Sequence, residues 1–240
     1  MDFYDPTPGP EPAHPVMTQR WTELTYLHWP YDPAAVQALL PAGTRPDTFD
    51  GVTWIGLIAF VMRDVRVLGA PSIPYVSDFP ETNVRAYAID AEGRRSVVFL
   101  SLDITRLLPV AIARASYRLP YIWSSMRVER QGSDVTYLAR RRRSGVRSRI
   151  SVRVGDGVEA TPLDHFLTAR WGLHSRWYGV SAYVPIAHEP WPLRSAELLD
   201  LDDGLVEAAG LPAPVGAPRV LYSDGVHVQL GTPSRLHGRR

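Results

Sequence analysis

Four side chains able to do chemistry fall on alternate positions of one short segment. In Phe79-Pro80-Glu81-Thr82-Asn83-Val84-Arg85-Ala86-Tyr87, a two-residue period puts Glu81, Asn83, Arg85 and Tyr87 on one strand face, with Val84 and Ala86 on the other. A carboxyl group moves protons, a guanidinium clamps a carboxylate in bidentate geometry, and an amide or phenol directs hydrogen bonds. Asn83 is the sole asparagine of the chain. Such a face either lines a polar pocket or meets water, and the pattern alone leans towards water. The following apolar run, Val97-Val98-Phe99-Leu100-Ser101-Leu102-Asp103, ends in Ser101 and Asp103, polar groups that need partners if enclosed.

Other chemistry is removed by what the chain lacks. All 26 Lys-or-Arg positions among the 240 residues are arginine, and cysteine is absent. That excludes a lysine Schiff base, a P-loop lysine, a thiol nucleophile, a disulfide and cysteine-ligated metal. Arginine cannot substitute as a nucleophilic amine because it stays protonated. The histidines at 14, 28, 165, 174, 188, 227 and 237 form no H-E-x-x-H motif, and neither G-x-S-x-G nor G-x-G-x-x-G occurs. Structural histidines are therefore expected, with no metal and no cofactor.

The elements that must position these residues read mostly as strands. Residues 20–29 are rich in Trp, Thr and Tyr, residues 52–67 form a long β-branched run, and residues 81–90 and 95–103 flank the turn signal Ala91-Glu92-Gly93. Residues 121–129, 135–142 and 147–154 form a meander, and further strands are expected at 183–188, 193–199 and 220–230. Asp32-Pro33 opens a helix to about residue 40, and Thr161-Pro162 with Asp164 opens another to about 171. Residues 107–118 have helical period, and a short helix is expected at 205–209. The predicted fold is mainly β, a closed or strongly curved sheet with three or four short peripheral helices. Residues 1–17 read as a disordered or extended proline-rich arm, 18–231 as one domain and 232–240 as a basic tail. The apolar run 52–62 is too short for a bilayer and no signal sequence opens the chain, so cytoplasmic residence without a membrane partner is expected.

Charge is concentrated at one place. Residues 140–153 hold seven arginines and no acid, so against a net charge of +1 the remainder sums to 1 minus 7, about minus 6. The cluster fits a phosphate-binding patch, but Arg147, Arg149 and Arg153 alternate with Ile150, Val152 and Val154 as on the solvated face of a hairpin. The solvated hairpin is favoured, and nucleic acid is not the expected partner.

Residues 20–31 (RWTELTYLHWPY), 50–56 (DGVTWIG), 79–87, 99–103, 119–121 (LPY), 167–171 (LTARW) and 188–193 (HEPWPL) together resemble the YqjF-like uncharacterised family. That family is similar to a branch of the acetoacetate-decarboxylase-like superfamily, and the resemblance implies a β-barrel or cone wrapped by further strands. In the decarboxylase, an arginine near a helix is followed by a proline and the Schiff-base lysine. The matching stretch here is ARASYRLPY (113–121), which carries Arg114 and places Tyr121 where the lysine would stand. The resemblance further implies that Glu81 matches the pocket glutamate and Arg20 an arginine holding the substrate carboxylate. Decarboxylation through a lysine imine is excluded, since Tyr121 cannot form one.

The sequence thus leads to a pocket for a small, anionic organic ligand, lined by Glu81, Asn83, Arg85, Ser101, Asp103 and Tyr121, with Arg20 and Arg114 as further carboxylate ligands. Binding without catalysis is the first reading. A lyase, hydratase or isomerase using Tyr121 with Glu81 and Arg85 is the second, and an interaction protein using Arg140 to Arg153 is the third. Self-association is left open.

Overall fold

The computed structural model describes residues 7–236 apart from 10, 70, 72–76, 107–118 and 178–179. The expected helix at 107–118, and Arg114 with it, lies outside the described residues. Among them thirteen strands form one sheet: β1 (Met17–Tyr31), β2 (Thr44–Pro46), β3 (Thr53–Val67), β4 (Phe79–Asp90), β5 (Arg95–Ile104), β6 (Tyr121–Gln131), β7 (Asp134–Arg141), β8 (Arg147–Gly157), β9 (Gly172–Trp177), β10 (Val180–His188), β11 (Leu193–Asp203), β12 (Arg219–Leu230) and β13 (Ser234–Arg235). Three short helices accompany them, α1 (Pro33–Gln37), α2 (Pro162–Thr168) and α3 (Leu205–Ala208).

The sheet closes twice. Pairing in the order β5-β6-β7-β8-β11-β12-β1-β3-β4 and back to β5 makes a nine-strand barrel. A second closure runs from β5 through β9 and β10 to β12, so β12, β1, β3, β4 and β5 form a wall common to both. This common wall explains why β4 is buried along nearly its whole length, on both faces. Leu27, Leu57, Ala59, Val84, Ala86 and Val98 point into the nine-strand barrel, whose end is plugged by Val36 of α1 and by Leu205 and Val206 of α3. On the opposite side, Tyr87, Val97 and Leu102 pack with Phe166 and Leu167 of α2 and with Val184 and Ile186 of β10.

The helix boundaries have local causes. Asp32 accepts the Ala34 N–H at 2.8 Å at the start of α1. At α2, Asp164 N–H donates to Thr161 Oγ1 at 3.2 Å while Thr161 N–H donates back to Asp164 Oδ2 at 3.0 Å, a capping box. This helix stops at Thr168, short of the expected 171, because Ala169 leaves helical geometry and Arg170 Nε donates to Phe166 O at 2.7 Å, satisfying a terminal carbonyl. The residues after it enter β9, a strand absent from the sequence reading.

Backbone pairing between β5 and β9 is thin, a single bridge between Val97 and Leu173. Side chains reinforce it. His174 Nδ1 meets Ser96 Oγ, and His174 Nε2 lies 3.0 Å from Asp90 Oδ2, so one buried imidazole ties β9 to β5 and β4. The orientation gives this histidine a neutral ring donating to Asp90 and accepting from Ser96. Burial acts in the same direction, lowering its pKa.

Candidate functional site

The polar face of β4 turns into the second closure. Glu81, Asn83, Arg85 and Tyr87 are all buried, with exposures of 2% for Glu81 and 6% for Arg85, so the lean towards water is overturned. The physical reason is the common wall: in a sheet covered on both faces, alternation of polar and apolar residues no longer separates solvent from core. Cross-strand partners share a face, which places Phe60 and Ile104 beside Glu81, Ile58 and Leu102 beside Asn83, and Gly56 beside Arg85. Tyr121 is the parallel partner of Leu102 and therefore joins this face.

β1 supplies the facing aromatic and histidine residues. Glu23, at φ 54, makes a bulge that shifts register between Thr22 and Thr25. The bulge brings Trp21 as well as Leu24, Tyr26 and His28 to the same side, although a strict two-residue period would separate Trp21 from Tyr26. Gly56 leaves room for His28: a Cβ there would sit 3.0 Å from His28 Nε2. The HEPWPL stretch forms the cover, with the Trp191 ring edge-on to Tyr26 at 5.6 Å, stacked on Trp21 at 6.0 Å and 5.0 Å from His188.

Arg85 dominates the electrostatics. Its Nε donates to Tyr87 Oη at 2.9 Å and its Nη2 to Leu167 O at 3.1 Å, while its guanidinium lies 5.7 Å from the Tyr26 ring centre. Two of five N–H donors are thereby used, leaving N–H groups on both Nη atoms. Among the described residues, no carboxylate forms an ion pair with it. Tyr87 Oη lies 2.6 Å from His28 Nε2 and links that ring to Arg85 through the phenol. Burial, then Arg85, Arg170 and Arg219, hold the His28 pKa well below the usual value. His188 is lowered to about 4 by burial, with Arg85 contributing, so both rings are neutral near pH 7.

The other end is acidic but protonated. Burial pushes Glu81 up to about 8, partly opposed by its hydrogen bond from Asn83 and reinforced by the Asp103 charge. Tyr121 is raised well above the ordinary phenol value by burial and then by Glu81, so it is a hydrogen-bond donor at neutral pH and not a base. Glu81 Oε2, Asn83 Oδ1, Tyr26 Oη and Trp21 Nε1 are all buried without a hydrogen-bond partner among the described residues. Buried polar atoms without partners are uncommon in folded proteins and call for an explanation.

Three residues from the sequence reading stand elsewhere. Asp103 and Ser101 pair with Thr82 and Val84, on the opposite face of the sheet, and point into the nine-strand barrel. Asp103 is saturated there: Arg141 binds it through Nε and Nη2, both at 2.9 Å, and Ser124 Oγ donates at 2.6 Å. Period two, carried across from β4 to β5, fails because a bulge opposite Val84 and Arg85 shifts the register. Arg20 is exposed, between Arg63 and His227 on the neighbouring strands, with Gln19 and Trp21 turned inward. Conversely, Trp21, Tyr26, His28, His188 and Trp191 were not singled out as site residues. Their signal was present in the RWTELTYLHWPY and HEPWPL stretches that carry the family resemblance.

The arginine cluster is divided by the fold. Arg141 is buried on Asp103, whereas the exposed Arg140 pairs with the exposed Arg147 across β7 and β8 and lines a groove of about 710 Å3 with Arg127 and Arg149. Arg149 pairs with Asp200 at 2.7 Å and Arg153 with Asp134 at 2.8 Å, which partly neutralises the strip. No helix among the described residues is long and apolar enough to cross a membrane.

Comparison with known proteins places this architecture. The protein YqjF of Bacillus subtilis (strain 168) is 30% identical over 212 residues, covering 87% of each chain. Among solved structures, the enduracididine biosynthesis enzyme MppR complexed with pyruvate superposes with a TM-score of 0.65 at 15% identity, over 92% of this chain and 90% of that one. An acetoacetate-decarboxylase-like enzyme from Sphingomonas wittichii RW1 gives 0.64 at 16% identity, over 93% and 94%. The family model DUF2071, described as an uncharacterized conserved protein, matches residues 18–227. The chain belongs to this DUF2071 family and has the acetoacetate-decarboxylase-like fold.

Proposed function

We propose that the second closure binds a small organic carboxylate, held by Arg85, without imine chemistry. The observation that carries this is a buried guanidinium with no carboxylate partner among the described residues. A buried unpaired charge costs several kcal/mol, and an anionic ligand removes that cost while gaining charge-assisted hydrogen bonds. The unfilled Tyr26 hydroxyl and Trp21 N–H add donors on the same face. The MppR complex with pyruvate shows the same fold accommodating a small carboxylate in that protein. Here the chain has no lysine, so the bound acid is held by hydrogen bonds and charge alone.

Native mass spectrometry of freshly purified protein, followed by thermal shift with keto, hydroxy and unsaturated acids, tests this reading. Ligand at about 100 times Kd should stabilise the fold by about 2.7 kcal/mol. Arg85→Met should abolish the shift. Absence of any copurifying acid, together with no shift from any member of the set, overturns the proposal.

Catalysis is the second reading, favoured by Glu81, whose pKa of about 8 suits a general acid near neutrality. Glu81 would give a proton to a ligand oxygen or carbon while Tyr121 donates a hydrogen bond to developing negative charge. Incubation with the same acids and mass analysis of the products decides it, with Tyr121→Phe lowering any turnover.

A further inference from the structure

The outer face of the nine-strand barrel carries a groove of a different kind. On β7 and β8, Val135, Tyr137, Ile150 and Val152 point into the barrel, so their neighbours along each strand point out. Strand register lays Arg127, Leu138 and Arg149 in one row across β6, β7 and β8, and Ser125, Arg140 and Arg147 in the next. Both rows line the groove of about 710 Å3, and Trp123 and Arg142 follow at the hairpin end. Arg140, Arg142, Arg143 and Arg147 are exposed, and none forms an ion pair among the described residues. Outside those residues the only acidic side chains are Asp2 and Asp5. Arg140 and Arg147 are direct cross-strand partners, an arrangement of like charges that costs stability unless an anion joins them. Arg142 is steadied by the Trp123 ring, whose centre lies 4.5 Å from its guanidinium. The positive patch is short, because Arg127 pairs with Glu129, Arg149 pairs with Asp200, and Asp202 stands opposite Arg149 on β11.

We propose that this groove binds a compact, nucleotide-sized ligand bearing a di- or triphosphate group, independently of Arg85, which lies on β4 and faces the second closure. Charge selects the class first. An exposed guanidinium is screened by water and salt, so a single carboxylate gains little there, whereas several charges in a small volume engage several arginines at once. Geometry selects it further. A phosphate offers three acceptor oxygens in a tetrahedral arrangement, which suits guanidiniums arriving from two neighbouring strands, and a carboxylate offers one planar fork. The volume suits one small molecule, and Leu138, half-buried between Arg127 and Arg149, gives its organic part an apolar floor. The rim argues against a long polyanion. A nucleic-acid strand leaving the groove across β11 meets Asp200 and Asp202, and one leaving along β6 meets Glu129, so like charges oppose it in both directions.

Isothermal titration of the full chain at about 50 mM salt with adenosine triphosphate, adenosine monophosphate, citrate and a short oligothymidylate, all without divalent metal, tests the proposal. The triphosphate is expected to bind about tenfold tighter than the monophosphate or citrate, and to weaken as salt rises. Replacing Arg140→Gln and Arg147→Gln together should weaken it about tenfold while any thermal shift given by organic acids stays as it was. Arg85→Met should leave triphosphate binding intact. The ranking in the unaltered chain stands without any variant, so misfolding of one does not blunt the test. Citrate or the monophosphate binding as tightly as the triphosphate makes the groove an unselective charged surface and overturns the proposal. So does triphosphate binding that survives the double substitution in a folded variant, and so does the absence of binding. Oligothymidylate binding tighter than the triphosphate, and lost in the same double variant, would assign the groove to single-stranded nucleic acid and overturn the compact ligand.

Discussion

One sheet separates two interiors that treat buried polar groups in opposite ways. On the nine-strand side, Asp103 is 0% exposed and every strong interaction it can make is made, by Arg141 on two nitrogens and by Ser124. On the other side, Arg85 is buried to a similar depth and, among the described residues, donates to only two neutral oxygens, while Glu81, Asn83 and Tyr26 each keep an atom without a partner there. The barrel's own exceptions among the described residues, Ser101 Oγ, Ser148 Oγ and Asp203 Oδ1, involve no uncompensated cation. β4 and β5 contribute to both sides, so strand type and burial do not account for the contrast. A filled network holds a fold together, and an unfilled one lowers its stability.

Breaking the filled side should have the largest effect. Asp103→Ala strands Arg141 inside the barrel, and loss of about 3–5 kcal/mol is expected in urea unfolding. Replacing both partners together, Asp103→Leu with Arg141→Met, should recover most of it, because paired removal leaves no orphaned charge. A double variant as unstable as the single one would show that the pair is not the barrel's organising contact.

The unfilled side announces itself through pH. Glu81 keeps its proton up to about 8 in the fold, whereas the unfolded chain releases it near 4.5. Between those values the unfolded state binds fewer protons, so stability falls as pH rises. His28 and His188, both lowered, work oppositely below 6.5, where the unfolded chain takes up protons that the fold refuses. At pH 6.5 the unfolded histidines are still half protonated and offset part of the Glu81 decline, so a net fall of about 1 kcal/mol from pH 6.5 to 8 is expected, at about 1.4 kcal/mol per pH unit for each proton. Glu81→Gln should flatten that decline. A slope unchanged in the variant assigns it to another group.

Arg85→Met provides the sharper contrast with Asp103→Ala. Removing a buried charge that lacks a counter-ion among the described residues should leave stability unchanged or raise it by up to a few kcal/mol, despite comparable burial, while abolishing binding of acids. A loss as large as that of Asp103→Ala would mean that Arg85 is a structural ion and that the two sides are not different in kind.

Much of this architecture was legible in advance. Alternation in β4 picked out Glu81, Asn83, Arg85 and Tyr87 as one face, and cap residues located α1 and α2. Which side of the sheet is enclosed was not legible, because that depends on β9 and β10 closing back on β12, a contact far apart in sequence. Register was also hidden. The bulge at Glu23 gathers Trp21 with Tyr26, and the one on β5 sends Ser101 and Asp103 away from Glu81. Period two carries no information across such a shift.

The smallest expected effect concerns Arg20, whose role as a carboxylate ligand was implied by resemblance alone. Its side chain is exposed on β1, among Arg63 and His227, on the face away from Trp21. Solvent screens a charge in that position, so it cannot supply the desolvated bidentate clamp that a small anion needs. Arg20→Ala should therefore alter stability by less than about 0.5 kcal/mol and leave the affinity for acids unchanged. Should acid binding instead fall in Arg20→Ala while Arg85→Met retains it, the anion would belong on the outer edge of β1, and the unfilled atoms around Glu81 would need another partner.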